Sequence, residues 1–277
     1  MLNKSFARDK MKRILNLCAL ALLFLLSISA HARTESIFLE NMKVAMKEDN
    51  APDVTPYGSL YAVSEKNGNI FITDKKGQTK QLTFSGKDSQ PSLSPDEKTV
   101  VFVRNTPDKK IKVNMGQKDE VEANEIWIID ADGKNPKLVI EAGKESLTPE
   151  GMEAHRLAKE KGIEVPKGKG LTIILARLSS PQFSPDGKLL YFMSMRWVTS
   201  DAIHIMNLNN KFVCFVTDGN SLEVIKKGKY TGGLIVKKHR YFLGGGSYDW
   251  FYLLSNYGIE NAPLGETDKN FKDMYVK

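Results

Sequence analysis

Cysteine is almost missing from this chain. Of 277 residues only Cys18 and Cys214 are cysteine, and Cys18 lies in an apolar segment near the start. If that segment is removed, an intramolecular disulfide is excluded even in a compartment that permits one. Cys214 stands inside the strand-like run "KFVCFVTDG" and reads as a small buried hydrophobe, not a nucleophile. Histidine is scarce too. His31, His155, His204 and His239 never fall at the i, i+4 spacing of a helical metal pair, so each reads as structural or solvated. Catalytic signatures are also wanting. Ser247 in "GGGSYDW" is followed by Tyr-Asp-Trp instead of the x-Gly of a nucleophile elbow. The three glycines before it lead into neither a helix nor a Gly-Lys-Ser/Thr, so they do not make a phosphate loop. "DADGKN", Asp130 to Asn135, lacks the later ligands of a calcium loop and reads as a hairpin turn. No catalytic, metal or cofactor residue is assigned on these grounds.

A long apolar run occurs only at the start. Lys10, Lys12 and Arg13 precede "ILNLCALALLFLLSI", and small residues follow up to Ala30-His31-Ala32. This is the layout of a secretory signal over 1–32, cleaved between Ala32 and Arg33, with translation starting at Met1 or Met11. A retained anchor is the alternative, since the run approaches the roughly 17 residues of the shortest spans. Lipid attachment at Cys18 is disfavoured, because Leu15-Asn16-Leu17 are not the small residues it needs. Export to the periplasm follows, with no membrane span left after cleavage. Residues 1–32 carry five Lys or Arg and one Asp, so the formal charge of +7 falls to +3 without them. No concentrated basic surplus remains, and nucleic acid is not an expected partner.

What the chain does have is an internal echo. "SQPSLSPDEKTVVFVRN", Ser89 to Asn105, returns as "SSPQFSPDGKLLYFMSMR", Ser179 to Arg196. In the second copy Pro185 presets φ for a type I turn, Asp186 suits the next position, and Gly187 can take positive φ. The first copy has Glu97 in the glycine place, at a strain of roughly 1 kcal/mol if it turns left-handed. Each turn is followed by an apolar strand, Thr99–Arg104 or Leu189–Ser194. A second strand follows, Glu125–Asp130 or Ala202–Leu208, and then a third, Lys137–Glu141 or Phe212–Gly219. "PSLS" and "PQFS" supply a strand before each turn. Leu60–Thr83 reads as three strands around Asn67-Gly68 and Lys76-Gly77, and Leu222–Glu260 as two or three longer ones. The reading is all-β: a β-propeller of about four four-stranded blades.

"QPSLSPDEKTVVFVR…NEIWIIDADGKNPKLV" and "SPQFSPDGKLLYFMS…DAIHIMNL" resemble the TolB-like (WD-repeat-like) β-propeller family over about 59–219, with 221–265 as a divergent closing blade. The amino-terminal α/β domain of TolB has no counterpart here. The resemblance implies a non-enzymatic module that binds an envelope protein or lipoprotein. An enzyme of lactonase or lyase type, with its site in a central channel, is the alternative, and a homodimer of two incomplete rings is a third reading.

The remaining pieces do not repeat. Residues 33–58 form an extension that could close the propeller, 59–265 the propeller itself, and 266–277 a tail. An insertion at about 142–177, between the second and third units, contains a helix: Thr148 caps it, Pro149 takes its first turn, and Gly162 ends it. It reads as a surface excursion or as part of a partner site. In the closing blade, Lys237, Lys238 and Arg240 stand near Tyr248 and Trp250, a candidate partner-binding strip. The plain reading of that strip is a solvated face with its aromatics turned to the core.

Overall fold

A strand whose residues are all apolar needs cover on both faces. The computed structural model supplies that cover by stacking sheets. It describes residues 60–115, 118–165, 168 and 170–276; the leader, the Ala32–Arg33 cleavage point and the 33–58 extension lie outside the described residues. The first sheet runs β1 (Tyr61–Lys66), β2 (Asn69–Asp74), β3 (Thr79–Gln81), and the second β4 (Asp88–Leu93), β5 (Thr99–Met115), β6 (Lys118–Asp130), β7 (Lys137–Glu141). The fourth is β14 (Ser221–Val224), β15 (Leu234–Tyr241), β16 (Ser247–Leu254), β17 (Glu260–Gly265). The third has six strands, not four. β10 (Ser179–Phe183), β11 (Leu189–Ser194), β12 (Asp201–Asn207) and β13 (Val213–Gly219) make the expected unit, and β8 (Glu145–Leu147) and β9 (Thr172–Ile174) from the insertion extend its edge. β8 pairs parallel to β13 through Leu147 and Cys214.

Strand alternation then sorts the core. Val100 and Phe102 face the first sheet, packing with Ile70, Ile72 and Leu82. Val101 and Val103 face the third, against Leu178, Phe183, Leu190 and Phe192. Each sheet packs on the next in chain order, and among the described residues the first and fourth make no extensive contact. The four sheets therefore form an open succession.

The echoed turns have the same internal bonding. Ser94 Oγ donates to Asp96 Oδ1 (2.6 Å) and accepts from the Thr99 N–H (3.0 Å). Ser184 repeats both bonds with Asp186 and with the Leu189 N–H (2.9 Å). Ser and Asp thus clamp the turn that Pro initiates. The strands leading into these turns are stitched sheet to sheet. Gln90 Oε1 accepts from the Ser180 N–H (2.6 Å), and Gln182 bonds both Leu222 O (2.7 Å) and the Val224 N–H (3.0 Å).

The insertion helix forms as expected: α1 spans Pro149–Lys161, Thr148 accepts from the Gly151 N–H, and Gly162 closes it in the left-handed region. Residues 266–276, set apart as a tail, belong to the fold instead. They contain α2 (Lys269–Tyr275), whose Phe271 is buried with Ile225, Ile235 and Leu253 of the fourth sheet. No periodicity announced so short a helix. It is held by this burial and by the Lys272 ion pairs to Glu223 (2.6 Å) and Asp268 (2.8 Å).

Candidate functional site

The registers divide the protein into two ends. At one end lie short turns, including 94–98, 131–136 and 184–188. At the other lie the β5–β6 hairpin, the 142–178 insertion, the 195–200 loop and the 242–246 loop. The ribbon and the α1 insertion are at this second, hairpin end, while the first end carries the 225–233 connection.

The β5–β6 hairpin was not expected to continue beyond Arg104 and Glu125. It extends as a two-stranded ribbon with Lys110 opposite Glu122 and Lys112 opposite Glu120. Opposite charges directly across a ladder favour the pairing by a few tenths of a kcal/mol each. The short alternation of Val121 and Ala123 marks the buried face of the ribbon's base, beside the partly buried Ile111, while Lys110, Lys112, Glu120 and Glu122 take the exposed face. Pro107 sits where the register slips between Thr106 and Lys110, a bulge that accommodates its missing N–H.

Beneath the ribbon is a cleft of about 460 Å³ lined by Thr106, Lys109, Lys110, Glu125, Glu141 and Lys144, among others. Asn124 braces its floor, accepting from the Leu178 N–H and donating to Leu178 O, both at 2.7 Å. Glu125 accepts from Lys109 Nζ (3.0 Å) and Trp127 Nε1 (2.8 Å). That hydrogen bond and the charge of Glu125 hold the Lys109 ammonium above its ordinary pKa. Lys144 pairs with Glu141 at 3.3 Å. Thr106 Oγ1 is buried with no hydrogen-bond partner among the described residues. None of these residues was singled out from the sequence. The available signal was the excess length between "TVVFVR" and "NEIWIID".

The strip expected on the closing blade is split by strand alternation. Lys238, Arg240, Tyr248 and Trp250 share one face, and Lys237 lies on the other. Lys238 is buried (2% exposed) between the third and fourth sheets. Its Nζ reaches Thr217 Oγ1 (2.6 Å), Glu260 (2.5 Å) and Asp218 (3.6 Å), so it serves the interior. Arg240 shares both carboxylates, at 2.7 Å to Asp218 and 2.8 Å to Glu260. Burial works to raise the Asp218 carboxyl, but the Arg240 hydrogen bond and the two cations outweigh it and leave it below its usual range. Lys237 stands 4.0 Å from Asp249. Tyr248 and Trp250 pack edge to face at 5.0 Å toward the 242–246 loop, with Trp250 37% exposed.

His204 is wholly buried. Its Nε2 lies 2.8 Å from Ser194 Oγ and its Nδ1 2.8 Å from Ser146 Oγ, and it stacks on Phe192. Burial, assisted by the charge of Arg196, pushes its pKa down to about 3, so it is neutral. It ties strand β8 to the third sheet. Burial likewise raises the Cys214 thiol, which leaves it inert. Among the described residues no group of three or more His, Cys, Asp or Glu is placed to hold a metal ion.

No family model matches the chain, and no curated protein matches it. Solved structures do. The β-propeller domain of the trilobed protease from Pyrococcus furiosus matches with TM-score 0.39 at 14% identity, covering 75% of this chain and 53% of that one. Acylaminoacyl peptidase from Pyrococcus horikoshii matches with TM-score 0.42 at 14% identity, covering 77% and 34%. TolB from Acinetobacter baumannii matches with TM-score 0.31 at 18% identity, covering 72% and 49%. The chain thus spans about half or less of the length of each of these three proteins.

Proposed function

We propose that this protein is a non-enzymatic protein-binding module, an open β-propeller of TolB-like repeats, exported to the periplasm to bind an envelope protein or lipoprotein. The site is the hairpin end of the second and third sheets. One observation carries the reading: the ribbon, the α1 insertion and the charged cleft all gather at this end. Insertions placed together on a rigid scaffold are the usual bearers of recognition. The blade reading is supported by connectivity, since the first, second and fourth sheets and the β10–β13 part of the third are meanders in chain order, each packed on its successor. Lys109, Lys110 and Lys144 facing Glu125 and Glu141 suit the mixed charges of a folded partner.

The test is photocrosslinking in intact cells. A photoreactive residue is placed at Lys110 of the tagged full chain and, as a control, at Lys76 in a turn at the opposite end. A reproducible envelope-protein adduct at position 110 alone, weakened by Lys109→Glu, is the expected result. Self-adducts only, or the same adducts from both positions, would defeat the proposal.

A further inference from the structure

The fourth sheet ends in a protrusion that the cleft does not use. Leu243 and Val198 are fully exposed, and Tyr241 (67%), Phe242 (58%) and Trp197 (46%) stand mostly in solvent. They come from two loops held together. Thr199 Oγ1 and Tyr241 Oη are 3.2 Å apart, and Asn220 bonds Thr199 O (2.8 Å) and the Asp201 N–H (3.2 Å). Trp197 is also braced edge-on against Phe215 at 6.1 Å. The apolar tip is thus built and convex, not a groove.

Its residues are graded along the strands. Phe242 and Leu243 are outermost. Tyr248 contacts Phe242 at 4.8 Å, and Trp250 follows at 5.0 Å. Arg240 stands directly across from Tyr248 and Lys238 directly across from Trp250, with Lys237 next along the strand, and these three cations are matched by Asp218, Asp249 and Glu260. At about 3.4 Å per residue, the apolar tip gives way within roughly 20 Å to a band in which amphipathic aromatics and paired charges stand side by side. That order matches the polarity gradient of a bilayer surface, where Trp and Tyr settle at headgroup level. A convex tip needs no complementary pocket in lipid, and the balanced charges point to contact without anionic headgroups.

We propose that Trp197, Val198, Tyr241, Phe242 and Leu243 form a wedge that inserts into the interfacial region of a zwitterionic bilayer. The wedge is independent of the protein-binding cleft. It would hold the hairpin end of the fourth sheet against a membrane.

The full chain is mixed with phosphatidylcholine vesicles whose acyl chains are brominated near the headgroups, and tryptophan fluorescence is followed. Quenching is expected, and Trp197→Phe with Trp250→Phe should abolish it, leaving Trp127 to emit unchanged. Phe242→Ser with Leu243→Ser removes two exposed side chains and should lower the quenched fraction by about tenfold or more. Phe84→Ser, an exposed aromatic elsewhere, should change nothing. Three results would overturn the proposal. The first is vesicle-bound protein with unquenched Trp197 and Trp250, which would assign the binding to the apolar leader. The second is quenching indifferent to the double serine change. The third is sedimentation showing a dimer that this change dissolves, which would place a second copy over the wedge.

Discussion

Glu97 and Gly187 hold the same place in two copies of one turn, and both have positive φ, 57° and 72°. Glycine takes that conformation freely. Glu97 keeps it because its buried carboxylate accepts the Leu60 N–H at 3.0 and 3.2 Å, tying the head of the first sheet to the second. Glu97→Gly therefore should not stabilise the protein. Relief of about 1 kcal/mol is outweighed by loss of a charged hydrogen bond worth about 1.5–3 kcal/mol, and urea unfolding should show a net loss. Gly187→Ala has no such compensation and should cost about 1 kcal/mol. His204 makes a pH prediction. Its folded pKa, about 3, lies below the unfolded value near 6.5, so falling pH protonates the unfolded chain first. Its contribution is complete above pH 6.5 and is lost as the pH falls toward 3. The slope approaches about 1.4 kcal/mol per pH unit for one proton. Denaturant titrations at pH 7, 5.5 and 4.5 should show this component, and it should be missing from His204→Gln.

At the scale of elements, α1 tests whether propensity or packing decides. Gly151 in its first turn is a position where alanine would ordinarily favour a helix by about 1 kcal/mol. Here a Cβ would come within 1.9 Å of Leu171 O, on the return toward β9. Gly151→Ala should therefore lower the melting temperature. Thr148 does two tasks, accepting from the Gly151 N–H (3.1 Å) and donating to Gly170 O (2.6 Å). Thr148→Ala should cost about 1–2 kcal/mol, the upper part of the usual capping range, with hydrogen exchange rising first in α1, β8 and β9. If exchange rises evenly across the third sheet, the insertion is not a separable unit.

For the whole molecule, the consequence of an open succession of sheets is that its last face needs cover. α2 provides it. Removing residues 266–277 would bare Ile225, Ile235 and Leu253, an apolar face next to unpaired sheet edges. The shortened chain should self-associate at micromolar concentration in analytical ultracentrifugation, and a monomeric truncation would show that α2 is dispensable. A homodimer that completed one ring from two arcs would have to displace this helix or use the first sheet instead.

The all-β class, the repeated unit, the clamped Ser-Pro-Asp turns and both ends of α1 were legible in the residues, because each rests on local rules: strand alternation, turn chemistry and capping. The six-stranded third sheet was not, since β8 joins it through one backbone pairing and a buried Ser146–His204 contact 58 residues apart. Nor was the ribbon, whose apolar alternation is limited to Val121 and Ala123, or the covering role of α2. The candidate site divided in the same way. Sequence marked Lys237, Lys238, Arg240, Tyr248 and Trp250 as one strip by proximity. Only the stacking of the fourth sheet on the third decided that Lys238 and Arg240 turn inward to Asp218 and Glu260 while the aromatics lead out to an exposed tip. Burial is a property of what lies across a sheet, and the strand alone does not specify its neighbour.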